Sequence, residues 1–449
     1  MEKSYHFIGI GGIGMSALAQ IALLKNYRVS GSDIEINARV ESLVKAGAYV
    51  RKGHSEDHIK SDMVVIYSSD IKKSNPEYQA ALEKGCHIMH RADLLAEFIR
   101  DKKSLAVAGT HGKTTTSALL STVVEEALLD PTYAIGGVLI ATDSNSRAGY
   151  SDYFILEADE SDQTFLKYHP YGAILTNIDH DHLINYENDF NQLLAAFKKF
   201  IDQIASYSHF FWCGDDEYLC EINPKGYSYG FSASCSWRIV NARQEGFQLI
   251  FDLQSPDELF SDIVVNAIGK HNTLNAAAVF GLALSLGISE KSIRQSLRQF
   301  KGVKRRCEIK GCVQELLFLD DYAHHPTEIL TTLQGIKEAI GEKRLIAVFQ
   351  PHRYSRTQEC LEKYQDCFQH ADEVIVTDIF AAGESSIPSL NGEKVMQEIK
   401  KCHSHCYYVP RPALSYKLRE TLQANDVVVT LGAGDITKLN NDVIVLLDN

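Results

Sequence analysis

What this chain lacks narrows its class before any motif is read. No apolar run approaches the roughly 18 residues that a membrane-spanning helix needs. Met1-Glu-Lys-Ser4 leads straight into a strand-like segment with no signal-peptide core. The ten cysteines are scattered over 449 residues without the density of a disulfide framework, so reduced thiols are the default. Together these deficits give a cytoplasmic chain as the expectation. Nor is there an excess of positive charge: 45 Lys and Arg stand against 58 Asp and Glu, a net charge of −13. That balance argues against a general nucleic-acid binder and against an anionic membrane surface. Local basic clusters can still serve small anionic substrates. Internal repeats and low-complexity linkers are absent as well. One Cys/His cluster, Cys402-His403-Ser404-His405-Cys406, has the ligand types for zinc but not the paired spacing.

What is there is an ordinary globular composition, 45% hydrophobic and 23% charged, long enough for roughly two to four domains. The most informative stretch is Gly109-Thr-His-Gly-Lys-Thr-Thr-Thr116, directly after the apolar run Leu105-Ala-Val-Ala108. A strand, a glycine-rich turn and a helix in that order leave backbone N–H groups pointing at one spot, which suits phosphate. Gly109, Thr110, His111, Gly112 and Thr115 form the cradle. Lys113 brings a positive charge for the outer phosphates, and Thr114 a hydroxyl for magnesium. The loop is two residues shorter than the usual phosphate loop, with Val107 where that pattern has glycine.

Three alternating α/β blocks follow from the apolar runs. In the first, 1–100, strands are expected at Tyr5–Ile10, Tyr27–Asp33 and Met63–Tyr67. Gly9-x-Gly11-x-x-Gly14 follows the first strand. Glycines there allow close approach to a pyrophosphate. With Asp33 at the end of the second strand, the motif taken alone reads as a dinucleotide site, and any pyrophosphate would suit it. In the second block, 101–302, strands at Tyr153–Glu157 and Tyr171–Asn177 end in Glu157-Ala-Asp-Glu-Ser-Asp162 and Asn177-Ile-Asp-His-Asp-His182. Ligands gather at the carboxyl ends of parallel strands, so these ends and the phosphate loop are expected on one rim, with hard oxygens suited to magnesium. Further on, Gly269-Lys-His-Asn-Thr-Leu-Asn275 opens an alanine-rich helix. Its His271, Asn272 and Asn275 fit helix capping as well as base recognition. The third block, 303–449, has strands at Leu316–Asp321, Leu345–Phe349, Glu373–Thr377 and Val427–Leu431. His352, Arg353 and Arg356 there make a basic, forked-donor group for phosphate or carboxylate.

Read in order, Gly-Ile-Gly-Gly-Ile-Gly-Met15, Gly-Thr-His-Gly-Lys-Thr-Thr-Thr116, Glu-Ala-Asp-Glu-Ser-Asp162, Asp181-His-x-x-x-Tyr186, Gly269-x-His-Asn-x-x-Asn-Ala276, Asp320-Asp-Tyr-x-His-His-Pro-Thr-Glu328 and Gln350-Pro-His-Arg-Tyr-Ser-Arg-Thr357 resemble the Mur ligases over nearly the whole chain. The resemblance implies an α/β fold of three domains. These are an N-terminal Rossmann-like parallel sheet, a central P-loop ATPase-type domain and a C-terminal Rossmann-like domain closing over ATP and substrate. It implies a ligase that joins L-alanine to the carboxylate of UDP-N-acetylmuramate through an acyl phosphate, in cytoplasmic peptidoglycan precursor synthesis, with ATP and Mg2+ required.

Carried onto this sequence, Gly11, Gly12, Ile13, Gly14 and Met15 meet the UDP pyrophosphate. Ser32, Asp33, His54 and Ser68 face the rest of the UDP moiety. Lys113 holds the ATP phosphates, and Thr114, Glu157 and His182 serve magnesium. His271, Asn272 and Asn275 contact the adenine region, and Arg306 and Asp321 reach ATP from the C-terminal domain. Tyr322, His324, His352, Arg353 and Arg356 approach the muramoyl substrate. Either arginine of the last pair suits the oxyanion, and His182 or His352 the amine proton. Two positions depart from the family pattern: Ala323 stands where glycine is usual, and Ile184 where an acid is usual.

Overall fold

A computed structural model of the chain describes residues 3–181 and 183–448. The chain divides into two compact units. One holds Met1–Val240, Asp252–Ile263 and Leu274–Phe300; the other holds Asn241–Phe251, Val264–Thr273 and Lys301–Asn449.

The first unit begins with five strands in one wholly parallel sheet. They are β1 (Ser4–Ile8), β2 (Arg28–Asp33), β3 (Tyr49–Lys52), β4 (Val64–Tyr67) and β5 (His87–His90), in the order 3-2-1-4-5. Parallel neighbours need crossover connections. Helices α1 (Ile13–Leu24), α2 (Ala38–Lys45) and α3 (Pro76–Glu83) supply three of them, and α4 (Arg91–Ile99) leads out of the sheet. The winding reverses between β1 and β4, which opens a crevice at their carboxyl ends beside the Gly9–Gly14 turn.

A second sheet continues the unit with β6 (Lys103–Ala108), β7 (Thr132–Leu139), β8 (Ser144–Arg147), β9 (Tyr153–Glu157), β10 (Gly172–Leu175), β11 (Phe210–Cys213), β12 (Tyr227–Gly230) and β13 (Trp237–Glu245). They run 8-7-9-6-10-11-12-13, parallel except for the β7–β8 hairpin. β6 is buried from its second residue onward and β10 throughout, as expected of strands covered on both faces. Helix α5 (Lys113–Glu126) leaves the end of β6. Strands β14 (Gln248–Gln254) and β15 (Leu259–Val265) follow in the chain.

In the second unit β16 (Glu308–Val313), β17 (Leu316–Asp321), β18 (Leu345–Phe349), β19 (Glu373–Val376), β20 (Cys406–Tyr408) and β21 (Val427–Leu431) form a sheet in the order 16-17-21-18-19-20. Only β16 is antiparallel. Alternate residues feed two cores: Leu319, Phe349, Val376 and Leu431 lie in one, and Phe318, Val348, Ile375 and Val428 in the other. That is the period-two signature of a strand packed on both sides. Ala323 is 1% exposed and belongs to the first core. Among the described residues no helix is long and apolar enough to cross a membrane.

One buried carboxylate ties the N-terminal sheet together. Asn75 caps α3, and Pro76 occupies its first turn, where a missing N–H costs nothing. This sets Glu77 inside the domain with no exposed side-chain surface. Its oxygens lie 2.5 Å from Ser32 Oγ, 2.5 Å from His58 Nδ1, 3.3 Å from His54 Nδ1 and 3.6 Å from His6 Nε2. Burial works to raise its pKa; the surrounding His6, Ser32 and His58 groups outweigh it and hold the carboxyl down at about 2. An unfolded glutamate titrates near 4.3. A folded value below the unfolded one means that the stabilisation, on the order of 3 kcal/mol, is present above about pH 4.3 and is lost as the pH falls toward 2. Glu77→Gln is therefore expected to lower the denaturation midpoint at pH 6, with the gap to wild type about 1 kcal/mol narrower at pH 3.5. Urea titrations at both pH values check this, and a gap that does not narrow would count against the assignment.

Candidate active site

The carboxyl ends of three neighbouring strands, β9, β6 and β10, carry Glu157, the loop 109–112 and Thr176–Asp179. The loop is braced by the end of β10. Thr110 N–H donates to Asn177 O at 3.0 Å, and His111 N–H to Asn177 Oδ1 at 2.8 Å. His111 O accepts from Thr176 Oγ1 at 2.7 Å and from Asn177 Nδ2 at 3.0 Å. Thr110 Oγ1 accepts from the Asp179 N–H at 2.9 Å, and the His111 ring meets Asp179 Oδ2 at 2.9 Å. Gly109 has φ +125°, and a methyl there would lie 2.2 Å from Thr176 Oγ1; only glycine fits. Gly112 begins α5 in a left-handed conformation, with Asn275 directly against it.

Lys113 turns its ammonium inward. It donates to Gly109 O at 2.6 Å, Thr110 O at 3.1 Å and both oxygens of Glu160, at 3.0 and 2.8 Å. Burial works to neutralise the lysine; Glu160, Asp159 and Glu157 outweigh that and keep it protonated. Burial likewise pushes the Glu160 carboxyl up, to about 7, against the pull of Lys113. Thr114 Oγ1 donates to Glu157 Oε1 at 3.2 Å, and Glu157 Oε2 accepts the Gly136 N–H at 2.9 Å. A hydroxyl and a carboxylate so placed are hard oxygen donors of the kind magnesium takes. His182 lies outside the described residues.

In the N-terminal crevice the glycine turn is held from both sides. Asp33 accepts the N–H groups of Gly11 at 2.8 Å and Glu35 at 3.2 Å. Gly11 O accepts from Arg39 Nε at 2.8 Å and Asn37 Nδ2 at 3.2 Å. Gly12 N–H turns back to Gly9 O at 3.2 Å. Ile13 and Gly14 open α1, where Met15 is buried. Ser32 is buried, and its hydroxyl is shared between Glu77 and His54. Ser68 follows β4, and its carbonyl closes a turn onto the Ile71 N–H. The next residue, Ser69, donates to Asp162 at 2.7 Å. Arg91 Nη2 lies 3.6 Å from Asp162 and 3.9 Å from Asp159, which links this sheet's rim to the acidic run after β9.

The second unit gathers its own group. Asp321, at the end of β17, accepts from Cys307 N–H and Ala323 N–H, both at 2.7 Å. Arg305 and Arg306 both lie over the Tyr322 ring. His324 and His352 rings meet edge to face at 5.9 Å. Burial lowers both histidines to about 4, further helped at His352 by His324 and by Arg353, Arg356 and Arg305. Both rings are therefore neutral near pH 7. Arg353 and Arg356 flank the start of helix Tyr354–Cys360. His271 and Asn272, on the first turn of helix Lys270–Ser285, stand in this unit as well. Asn272 Nδ2 donates to Ile268 O at 2.7 Å, and burial lowers His271 to about 4. The 402–406 cluster is spread out: Cys402 is exposed, Cys406 is buried, and His403 bonds Ala371 O at 2.9 Å.

Comparison with known proteins finds three family models along the chain. Models described as "Mur ligase family, catalytic domain", "Mur ligase middle domain" and "Mur ligase, glutamate ligase domain" match residues 4–103, 107–283 and 305–434. A UDP-N-acetylmuramate–L-alanine ligase of Protochlamydia amoebophila is 56% identical, covering 100% of this chain and 99% of that protein. The chain belongs to the Mur ligase family. A "Bifunctional enzyme MurC/Ddl" of Chlamydia caviae is 44% identical over 98% of this Mur ligase and 54% of its own length. The crystal structure of a UDP-N-acetylmuramate–alanine ligase from Thermotoga maritima superposes with a TM-score of 0.87 at 28% identity, covering 99% of each chain. The fold is thus the three-domain α/β arrangement of the Mur ligases.

Several residues that shape the site escaped the motifs. Gly136 on β7 is one: a methyl there would lie 2.4 Å from Glu157 Oε2, yet the glycine sits in an unremarked strand far from the loop in sequence. Asn37, Arg39 and Arg91 are others, visible only once strands are ordered. On the reading of Thr114 and Glu157 as magnesium donors, Gly136→Ala is expected to displace the Glu157 carboxylate and weaken magnesium–nucleotide binding by about tenfold or more, some 1.4 kcal/mol, with secondary structure intact. Calorimetric titration and circular dichroism check this, and unchanged affinity would remove Gly136 from the site.

Proposed function

We propose that this Mur ligase joins L-alanine to the carboxylate of UDP-N-acetylmuramate at the expense of ATP, in cytoplasmic peptidoglycan precursor synthesis. The observation that carries the reading is the convergence of Lys113, Thr114 and Glu157 at the ends of adjacent strands, in a chain similar along its whole length to an enzyme so named. We assign residues 1–100 to the UDP-sugar, 101–302 to ATP and 303–449 to the closing C-terminal domain.

We assign the ATP phosphates to the Lys113 ammonium and to the N–H groups of residues 112–115 at the start of α5, since those of Thr110 and His111 are bonded to Asn177. Thr114 and Glu157, with His182, hold magnesium, which supplies counter-charge to the phosphates when bound. We assign His271, Asn272 and Asn275 to the adenine region, and Arg306 and Asp321 to ATP. On the sugar nucleotide, Gly11–Met15 receive the pyrophosphate, with Asp33 fixing the turn and Ser32, His54 and Ser68 nearby.

In the reaction an oxygen of the muramoyl carboxylate attacks the terminal phosphorus of ATP, and ADP leaves. The amine of L-alanine then attacks the acyl carbon, the C–O bond to phosphate breaks, and phosphate departs with the electron pair. Arg353 and Arg356 stabilise the oxyanion that forms on the way. His352, neutral at working pH, accepts the amine proton as the C–N bond forms and the nitrogen becomes acidic. Tyr322 and His324 line the same group.

Two measurements test this. Lys113→Ala is expected to abolish phosphate release with all substrates present. In a panel of L-alanine, glycine, L-serine and a tripeptide with UDP-N-acetylmuramate and ATP, ADP formation is expected to be strongest with L-alanine. Near-normal turnover in the variant would refute the central site, and preference for the tripeptide would shift the assignment to a sister ligase.

A further inference from the structure

Catalytic histidines are usually oriented by a hydrogen bond at the second ring nitrogen, most often to a carboxylate or carbonyl. His352 has none: its Nδ1 is buried with no hydrogen-bond partner among the described residues. What holds the ring is Phe380. The two rings stack at 5.7 Å with planes 8° apart, and their backbones form a short parallel bridge. Phe380 N–H donates to Pro351 O and its carbonyl accepts from Arg353 N–H, both at 2.9 Å. Gly434 also lies close to this ring: a methyl there would lie 2.4 Å from Gln350 Oε1 and 2.6 Å from Phe380 Cγ.

The same bridge accounts for the backbone of Arg353, which has φ +65° and ψ 137°. That region is costly for a residue with a side chain and persists only where surroundings impose it. The segment that carries Phe380 is anchored at both ends. Asp378 accepts from Tyr408 Oη at 2.5 Å and from Arg411 N–H at 2.9 Å. Glu384 accepts from Ser355 N–H at 3.0 Å and Ser355 Oγ at 2.7 Å, at the start of the helix that bears Arg356.

We propose that Phe380 is a positioning residue of the amide-forming step, fixing the His352 imidazole by stacking and the Arg353 backbone by its two main-chain hydrogen bonds. This rests on the reaction proposed above. In this role the side chain acts through His352 and Arg353. Loss of the ring leaves the main-chain bridge in place, so the imidazole is freed first and the capture of the acyl group by the amine suffers most.

The experiment uses the full-length enzyme and separates the two chemical steps. Exchange of 18O between the β,γ-bridging and β-non-bridging positions of ATP, with UDP-N-acetylmuramate and no amino acid, reports acyl-phosphate formation alone. Amide product reports the whole reaction. Phe380→Leu is expected to keep the isotope exchange and the KM for ATP and UDP-N-acetylmuramate near wild type, while kcat for amide formation falls roughly 10- to 100-fold. Phe380→Tyr, which keeps the ring, is expected to restore kcat. Melting temperatures separate these effects from misfolding. Equal loss of exchange and amide formation in a folded Phe380→Leu, or unaltered kcat, would overturn the proposal. Wild type that makes no amide product would instead overturn the reaction on which it rests.

Discussion

The central site is arranged around a charge that cannot be left alone. The Lys113 side chain is only 12% exposed, and a cation so withdrawn from water without partners is costly by several kcal/mol. Here it is met by two loop carbonyls and the Glu160 carboxylate. Glu160 in turn is fixed because its own carbonyl accepts from Tyr186 Oη at 2.5 Å. The lysine therefore already points at the loop interior, and in the function proposed above a phosphate has only to replace one anion by another. The acidic run after β9 and the polar end of β10 serve the same constraint from neighbouring strands, and that is why strand order matters more to this site than any single motif.

Much of this was legible from the residues. The strands expected from apolar runs, such as Tyr153–Glu157, Leu316–Asp321 and Val427–Leu431, match the observed elements, because buried parallel strands show as unbroken hydrophobic stretches. The common rim for the phosphate loop and the two polar strand ends followed from the parallel α/β pattern, and β9, β6 and β10 are indeed neighbours. The glycine loops announced themselves because few residues other than glycine tolerate their geometry.

Other features were beyond local pattern because they arise only from long-range packing. Glu77 reads as an ordinary acid in the first turn of a helix, yet it meets Ser32, His54 and His58 from three other segments. Asp33 ends the strand of a motif that taken alone reads as a dinucleotide site; in the fold both its oxygens accept backbone N–H groups, from Gly11 in the glycine turn and from Glu35. Phe380 sits in a segment without periodicity or motif, and its meaning comes from the strand end it pairs with. In each case at least one partner lies more than twenty residues away, Ser32 and His54 for Glu77, Gly11 for Asp33 and His352 for Phe380, which local spacing cannot encode.

The hydrogen bonds between Thr176–Asp179 and the loop at 109–111 carry a last consequence. Four of the loop's polar groups, the Thr110 and His111 amides, the His111 carbonyl and the Thr110 hydroxyl, are already committed to the adjoining strand. Ordering a backbone residue costs on the order of 1 kcal/mol or more in conformational freedom, and here folding has met that cost before any nucleotide arrives. In the function proposed above, anion capture at this loop is then governed by electrostatic attraction and dehydration, with little left over for freezing the chain.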